Sequence, residues 1–292
     1  MSRIRCCASD RTDPISASSV VIQEVFSKSH YRDCSETISF FCLSNVPKAH
    51  IEASLAVIGR HVALNGKFNH LKRIKGSTTL LAPVGEGETA ARFDRLIRAL
   101  GESNHLADEM EIAIIPVPRF AALTKQQYVA SNAIWPVRVI TPLVDPELPL
   151  EGARKSLAVA KINKLISSSV GSNGVCVYDS ADDSVSITGY GTERNSPFHF
   201  RHAVFDASDK VGKVAEYLAT DYSVFCLSEP CIMCSMALLH SRVKEVFFLH
   251  EPVSGGVSGS NGFHGLGSSV AVHCEKQLNH HFKAYRISLV PS

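Results

Sequence analysis

The stretch YSVFCLSEPCIMCSMALLHSRVKEVFFLH, residues 222–250, decides the fold class of this chain. YSVFCLS and KEVFFLH are short apolar runs that predict buried strands, and CIMCSMALLHSRV between them predicts a helix. A strand, a helix and a second strand in this order indicate a layered α/β domain, whose sites lie at the N-termini of helices. We therefore expect the chemistry of this domain at the start of the helix, where Cys231 and Cys234 stand.

The preceding residues extend the α/β pattern back to about residue 151. GVCVYDSADDSVSITGY, residues 174–190, predicts a hairpin that turns at residues 182–183. Two helical faces are predicted from apolar residues at helical spacing, the first at Ala158, Ile162, Leu165 and Ile166 and the second at Val211, Val214, Ala215 and Leu218. Residues 151–292 thus form one predicted α/β domain.

An upstream histidine joins the two cysteines in a predicted metal site. Between His202 and Cys231 lie 28 residues, and Pro230 directly precedes the C-x-x-C motif. Such a motif at a helix N-terminus directs two sulfurs to one spot and favours their thiolate form. One imidazole and two thiolates fill three tetrahedral positions of zinc and leave the fourth open. We predict Zn²⁺ bound by His202, Cys231 and Cys234; a redox dithiol and a pair of buried core cysteines are the alternatives.

The residue two places after His202 departs from the zinc deaminase pattern. Zinc deaminases of nucleobases carry His-x-Glu and Pro-Cys-x-x-Cys, and the Glu moves protons between the metal-bound water and the substrate. Val204 stands at the Glu position and has no ionisable group. The nearby carboxylates are Asp206, Glu216 and Glu229, and we expect Glu229 to orient a neighbouring loop rather than to replace the missing acid. The sequence predicts a metal site without a catalytic residue.

Residues 34–125 carry a different succession of elements. ETISFFCLSNV predicts a strand, HLKRIKGSTTLLAPV predicts one or two strands hinged at Gly76, and EIAIIPV predicts another strand. Helices are predicted between them, from Ile51 to Val62 and from Phe93 to Leu100. The order β-α-(ββ)-α-β predicts an α+β ferredoxin-like domain. Residues 1–33 lack periodicity and are predicted to be flexible, and the proline-rich residues 126–150 are predicted to connect the two domains.

Basic residues gather in the predicted N-terminal domain. Candidates for RNA contact are Lys67, His70, Lys72, Arg73 and Lys75, together with Arg95 and Arg98 on the second helix, where Arg92 lies on a related face. Solvated basic faces are common, so these residues alone do not prove an RNA site. Contacts of this kind grip phosphates and weaken with salt. Trp135, the one tryptophan, is predicted to be buried, with a stacking platform for a base as the alternative.

Composition limits the classes of function. The formal net charge is +2, so nucleic acid must be bound by local patches rather than by a global polycation. Nine cysteines without a secretory leader fit an intracellular, reducing compartment. No apolar run approaches the roughly 20 residues that span a bilayer, so no membrane contact is expected.

Two segments carry a resemblance to a known family. LSEPCIMCSMALLHSRVKEVFF, residues 227–248, resembles the zinc helix of the tRNA adenosine deaminases, and residues 255–285 are similar to their Gly-rich loop and C-terminal segment. Val204 in place of Glu is typical of one branch of this cytidine deaminase-like superfamily. That branch is the non-catalytic subunit of the eukaryotic heterodimeric tRNA wobble-adenosine deaminase. NHLKRIK and IWPVR are similar to the N-terminal RNA-binding domain of this subunit.

The resemblance implies a fold, a cofactor and partners. It implies a three-layer α/β/α cytidine deaminase-like domain over residues 151–292, Zn²⁺ on the three predicted ligands, a Glu-containing catalytic subunit in a heterodimer, tRNA, and residence in nucleus and cytoplasm. It also suggests that the tail RISLVPS, residues 286–292, folds over the pseudo-site. A self-sufficient zinc nucleoside or nucleotide deaminase and a zinc-stabilised interaction module without an RNA role are the alternative functions.

Overall fold

Two compact units make up the chain. The computed structural model describes residues 13–33, 36–61, 66–85, 98–99, 110–169, 173–179, 186–191, 202–213, 218–250, 264–267 and 270–290. One unit contains residues 30–145, and the other combines residues 1–29 with 146–292. We call them the N-terminal unit and the deaminase-like unit.

Strands and helices alternate along most of the described chain. In chain order they are β1 (Val20–Glu24), β2 (Thr37–Ser44), α1 (Ile51–His61), β3 (Ile74–Lys75), β4 (Thr78–Pro83), β5 (Glu111–Pro118), α2 (Lys125–Ile134), α3 (Ala153–Ser168), β6 (Gly174–Tyr178), β7 (Ser186–Tyr190), α4 (Ala203–Val211), β8 (Ser223–Cys226), α5 (Ile232–His240), β9 (Glu245–His250) and β10 (Lys283–Leu289).

The deaminase-like unit is built on a six-stranded mixed sheet. Its spatial order is β1-β10-β9-β8-β6-β7. The central strands β8, β9 and β10 run parallel, and β1, β6 and β7 are antiparallel to their neighbours. Parallel strands with both faces covered need apolar side chains on both, which explains the continuous apolar runs of β8 and β9.

Helices cover both faces of this sheet. Val224 and Val246 point into a core shared with α4 and α5, whereas the next residues along the strands, Phe225 and Phe247, join Ile162 of α3 on the opposite face. Successive side chains of a strand point to opposite faces, so each strand contributes to both cores. The predicted three-layer α/β/α fold is confirmed for this unit.

The first strand of the chain belongs to the deaminase-like unit. β1 pairs antiparallel with β10, and Ile22 is fully buried. This differs from the prediction that residues 1–33 are flexible. The prediction missed β1 because VVIQE is short and its partner strand lies more than 250 residues further along the chain.

A four-stranded antiparallel sheet, in the order β3-β4-β2-β5, organises the N-terminal unit. This order and these directions agree with the predicted ferredoxin-like sheet. Leu43 and Leu81 pack on Ile58 of α1 at one face. The second predicted helix lies outside the described residues, apart from a helical turn at residues 98–99.

Part of the predicted connector covers the other face of this sheet. Trp135 and Val137 pack against Phe40 and Leu80, and Trp135 is only 3% exposed. The Trp135 Nε1–H donates a hydrogen bond of 2.7 Å to the Lys72 carbonyl. Burial of the ring confirms its role as a core anchor and excludes it as a stacking platform. Residues 126–145 therefore pack as part of the N-terminal unit rather than as a separate linker.

Candidate metal site and nucleic-acid surface

The predicted metal ligands stand at the starts of two helices. His202 is the N-cap of α4 and Cys231 is the N-cap of α5, both with extended backbone, and Cys234 lies in the first turn of α5. Both helices lie on the same face of the sheet and pack on each other. The two helix N-termini bring together residues that are 29 and 32 positions apart in the sequence.

The three side chains converge on one point. The His202 Nδ1 atom lies 3.2 Å from the Cys234 Sγ and 3.4 Å from the Cys231 Sγ, and all three ligand atoms lie within 4.8 Å of one another. A tetrahedral zinc with bonds of about 2.0 Å to nitrogen and 2.3 Å to sulfur separates its ligand atoms by about 3.5–3.8 Å. The cysteines are buried and His202 is half-buried. The nitrogen and two sulfurs therefore fit zinc in both chemistry and spacing.

Val204 occupies the second residue of α4 and carries no proton. Its side chain is 4% exposed and packs in the same apolar cluster as Cys231 and Cys234. Within the described ranges, no Asp or Glu joins the three ligands at the mutual distance of 4.8 Å. The described part of the site thus offers metal ligands without a neighbouring general acid or base.

Glu229 anchors the segment that covers the start of α5. Its Oε1 accepts hydrogen bonds from the backbone N–H groups of Leu266, at 3.0 Å, and Gly267. His264 lies beside the same carboxylate, with its Nδ1 atom 4.0 Å from Oε2. The structure confirms that Glu229 orients a loop, which is the role expected for it from the sequence.

Asp206 serves a different strand. Its Oδ2 accepts hydrogen bonds from the Tyr190 backbone N–H at 3.1 Å and from the Lys210 Nζ at 2.8 Å. Lys210 also donates to the Thr188 carbonyl, so the ion pair ties α4 to β7. Helix α4 ends at Val211, earlier than the helical face predicted through Leu218, and Glu216 lies outside the described residues.

Gly265 allows the covering segment to lie directly on α5. A Cβ at this position would fall 2.3 Å from the Ser235 Oγ and 3.1 Å from the Ile232 Cα. The Gly265 N–H donates to the Pro230 carbonyl, and Leu266 beside it is fully buried. Residues 264–267 are therefore held tightly against α5.

The C-terminal segment does not fold over the metal ligands in its described part. Residues 286–289 lie inside β10, between β1 and β9, and pair with both of them. This corrects the suggestion that the tail RISLVPS covers the pseudo-site. Residues 264–267, held by Glu229, take the covering position instead.

The predicted RNA-binding residues divide by exposure. Lys67, Lys72, Lys75 and Arg98 are exposed, Arg73 is half-buried, and Arg95 lies outside the described residues. Burial lowers the pKa of the Arg73 guanidinium. The Lys75 Nζ donates to the Ile134 carbonyl at 3.0 Å, so this side chain is partly engaged within the protein.

His70 is buried and is removed from the predicted RNA-contact set. It is 1% exposed, and its Nε2–H donates to the Pro118 carbonyl at 3.1 Å. Burial lowers the pKa of its imidazole. The prediction failed because the spacing of basic residues does not tell which of them points into the core.

Arg138 is a surface cation that the sequence analysis did not select. Leu71 and Val137 form an isolated antiparallel bridge, the Lys72 N–H donates to the Pro136 carbonyl, and the Arg138 N–H donates to the His70 carbonyl. These bonds place exposed Arg138 beside the basic segment 67–75. The signal in the sequence was IWPVR, the segment that ends at Arg138.

The sequence predicts no membrane contact, and the lengths and apolar character of the described helices bear on this prediction. None of them has both the length and the apolar character needed to cross a bilayer.

Comparisons with known proteins agree with the geometry of the site. Residues 152–250 match the family model described as "Cytidine and deoxycytidylate deaminase zinc-binding region". A curated relative from Arabidopsis thaliana, "tRNA-specific adenosine deaminase TAD3", is 42% identical over 73 residues, which are 25% of this chain and 16% of that protein.

Longer matches extend over both units. "Probable inactive tRNA-specific adenosine deaminase-like protein 3" of Rattus norvegicus is 25% identical over 220 residues. This match covers 59% of this chain and 60% of the rat protein. "tRNA-specific adenosine deaminase subunit tad3" of Schizosaccharomyces pombe is 26% identical over 195 residues. This match covers 60% of this chain and 59% of the fission yeast protein.

The matches differ in extent. The chain spans about 60% of the length of the rat and fission yeast proteins and 16% of the Arabidopsis protein. A solved tRNA:A34 deaminase structure matches 39% of this chain and 81% of the chain in that structure. The sequence identity is 14% and the TM-score is 0.30, so this match supports no further conclusion. Residues 152–250 thus match a deaminase zinc-binding region, and parts of the chain are similar in sequence to these eukaryotic tRNA-specific adenosine deaminase proteins.

Proposed function

We propose that this chain is the non-catalytic, structural and tRNA-recruiting subunit of a heterodimeric deaminase that converts adenosine to inosine at the anticodon wobble position. One observation carries the proposal: three metal ligands converge while Val204 occupies the place of the proton carrier. The names of the homologues, a deaminase subunit and inactive deaminase-like proteins, support the same assignment.

In this proposal His202, Cys231 and Cys234 hold a zinc ion that stabilises the fold. Zinc, when bound in deaminases, lowers the pKa of its water toward about 7 and supplies hydroxide. Val204 cannot move the proton of that water, and the loss of a positioned acid or base lowers a rate by about 10²–10⁴-fold. Glu229 and Asp206 are held by backbone N–H groups of other segments, so neither is placed to replace it. Zinc binding then contributes to folding rather than to turnover.

The catalytic function would come from a Glu-containing homologue that pairs with the deaminase-like unit. Met233 and Met236, on α5 beside the metal ligands, are 43% and 40% exposed. Exposed methionines suit an adaptable apolar contact with a partner helix. The tRNA substrate would place the complex in the nucleus and cytoplasm, where tRNA matures and works.

The tRNA role rests on the charge of the N-terminal unit. Residues 66–85 and 112–144 contain no Asp or Glu and contribute Lys67, Lys72, Arg73, Lys75, Arg119, Lys125 and Arg138. Backbone bonds between residues 70–72 and 136–138 join these two segments. Segments with cations and no carboxylates of their own favour phosphate contacts, which grip the backbone without reading sequence. Glu36, from another segment, pairs with Arg119.

Metal content tests the first part of the proposal. The purified chain is expected to hold about one zinc per molecule, because the ligand set is complete for a single ion. Cys231→Ala and His202→Ala should lose this zinc and lower the melting temperature, whereas Cys42→Ala, which removes a buried cysteine of the N-terminal unit, should keep it. Full zinc content in both ligand variants would contradict the assignment.

Activity tests the second part. The chain alone should produce no inosine in tRNA, whereas co-expression with a Glu-containing deaminase homologue should give a heterodimer that does. Turnover of adenosine, a nucleoside or a nucleotide by the chain alone would favour the self-sufficient deaminase. A heterodimer that forms without any salt-sensitive tRNA binding by this chain would favour an interaction module without an RNA role.

A further inference from the structure

An exposed aromatic ring of the N-terminal unit lies close to two guanidinium groups. The Arg32 Cζ atom lies 3.7 Å from the centroid of the Phe120 ring, and the Arg119 Cζ atom lies 5.4 Å from it. Phe120 is 39% exposed. Both distances fall within the range of cation–π attraction, which lets two like charges share one ring. We call Arg32, Arg119 and Phe120 the arginine–phenylalanine surface.

A buried glutamine fixes the backbone beneath this surface. The Gln127 Nε2 donates hydrogen bonds of 3.2 Å to the carbonyls of His30 and Arg32, and its Oε1 accepts one of 2.9 Å from the Leu123 N–H. Gln127 is 7% exposed and lies in the first turn of α2. One amide thus ties the segment that carries Arg32 to the segment that follows Phe120.

Arg119 extends into solvent, whereas Arg32 is half-buried and lies next to exposed Asp33. Arg119 pairs with Glu36 at 3.9 Å, and the two side chains are 56% and 53% exposed, so water and salt screen the pair strongly. Tyr31, next to Arg32, is 57% exposed and adds a second aromatic side chain. Guanidinium forks match phosphate oxygens, and exposed rings offer faces for unstacked bases, so the combination suits the proposed tRNA substrate.

We propose that the arginine–phenylalanine surface is a second RNA-contacting site of the N-terminal unit, distinct from the basic segment 67–75. Arg32 and Arg119 grip phosphates of the tRNA backbone, and Tyr31 offers a face on which an unstacked base rests. The proposal rests on the proposed tRNA-recruiting function. Buried His70 connects the two sites, because its bond to the Pro118 carbonyl joins the segment 67–75 to the strand end directly before Arg119.

The test measures tRNA binding by the full chain over a range of salt concentrations. The double variant Arg32→Ala, Arg119→Ala should raise the Kd for tRNA about tenfold and reduce the slope of log K against log salt by about 1.5. The variant Lys48→Ala, Arg60→Ala is the matched control, since it removes two exposed cations from the same unit. This control should change neither quantity.

Conservative variants separate charge from geometry. Arg32→Lys, Arg119→Lys should keep most of the salt slope, because both charges remain, and still lose several-fold in affinity, because lysine lacks the planar fork. Phe120→Leu keeps an apolar side chain and should weaken binding less than the double alanine variant. Circular dichroism and the fluorescence of buried Trp135 report whether each variant is folded.

Four outcomes have defined meanings. Loss of affinity and slope in the double alanine variant alone supports the proposal. An unchanged slope in that variant, together with weaker binding after Lys67→Ala, Lys72→Ala, overturns this inference and leaves the proposed function standing. Poly-glutamate serves as a model of an acidic protein partner. If the double alanine variant loses binding to poly-glutamate and keeps its tRNA binding, the inference is overturned in favour of such a partner. Absence of tRNA binding by the wild-type chain, alone and with its catalytic partner, would overturn both.

Discussion

At the scale of single residues, Val204 departs from the zinc deaminase pattern, whereas the three candidate metal ligands keep it. Val204 lies in the first turn of α4 among buried apolar side chains, two residues after a ligand that is in place. A carboxylate here would lie in a poorly solvated environment. Restoring the acid therefore restores only one of the conditions that the reaction needs, since substrate access and positioning must also be present.

Val204→Glu in the chain alone is expected to give no efficient deamination. The buried carboxylate should lower the free energy of unfolding by about 2 kcal/mol, because a desolvated polar group replaces an apolar one. Denaturant titration and an inosine assay check the two effects, with Val204→Gln as the neutral control. Inosine formation by the Glu variant and not by the Gln variant would mean that only the carboxylate had been missing.

His70 should make the stability of the N-terminal unit depend on pH. Burial lowers the pKa of its imidazole below the ordinary value of 6.5, so the unfolded chain binds the proton more readily than the folded one. The stabilising contribution is complete above pH 6.5 and is lost as the pH falls toward the lowered pKa of the folded state. Each pKa unit of lowering corresponds to about 1.4 kcal/mol.

The fluorescence of Trp135, the single tryptophan, reports this unit selectively. Urea unfolding at pH 7.5 and 5.5 should show a smaller free energy of unfolding at the lower pH. His70→Gln can still donate a hydrogen bond to the Pro118 carbonyl and cannot titrate near neutrality, so its two values should lie closer together. Equal pH dependence in both proteins would rule out His70 as the cause.

At the scale of elements, the start of α5 is held by an interaction outside the metal ligands. Glu229 accepts hydrogen bonds from the backbone N–H groups of residues 266 and 267, and Gly265 lets this segment lie directly on the helix. Hydrogen bonds from N–H groups to a carboxylate are charge-assisted and stronger than neutral ones. The Glu229 carboxylate thus organises the segment that covers the start of α5.

Glu229→Ala should open this covering segment. Loss of a charge-assisted hydrogen bond corresponds to about 1.5–3 kcal/mol, so the amide protection of Leu266 and Gly267 should fall about 10–100-fold. Hydrogen exchange read by mass spectrometry or NMR measures it. Asp206→Ala is the crossed control, because it should expose the Tyr190 amide and leave residues 266–267 protected. Unchanged protection at Leu266 after Glu229→Ala would show that other contacts hold the segment.

At the scale of the whole molecule, the chain enters the deaminase-like unit, leaves it for the N-terminal unit and returns. Residues 1–29 cluster with residues 146–292, and β1 completes the edge of the six-stranded sheet next to β10. The Leu150 N–H donates to the Ile22 carbonyl on the other side of β1. The chain therefore passes between the two units twice, at residues 29–30 and 145–146.

Removal of residues 1–25 should destabilise the deaminase-like unit and spare the N-terminal one. Without β1, the β10 backbone groups lose their antiparallel partners and Ile22 no longer fills its place in the core. Amide protection in β10 should drop, whereas protection in β2 and β4 should persist. Ile22→Ala, expected to cost about 2–5 kcal/mol, gives the same direction in an intact chain. Full protection of β10 in the truncated protein would contradict this account.

The sequence by itself determined the elements whose signals are local. The apolar runs of β8 and β9, the C-x-x-C at the start of α5 and Val204 in place of Glu were all visible in stretches of a few residues. The topology of the N-terminal sheet followed from the order of its elements, because short connections leave few arrangements. Periodicity is a property of neighbours along the chain, and these features needed nothing more.

Only the tertiary structure decided the features that join distant segments. The partner of β1, the burial of His70, the contact of Arg138 with residues 70–72 and the assembly of Arg32 with Phe120 all depend on residues far apart in sequence. A strand can be paired, and a basic side chain buried or exposed, only by what the rest of the chain places beside it. Each hydrophobic core forms from segments that are far apart in sequence, so no local pattern encodes which side chains it buries.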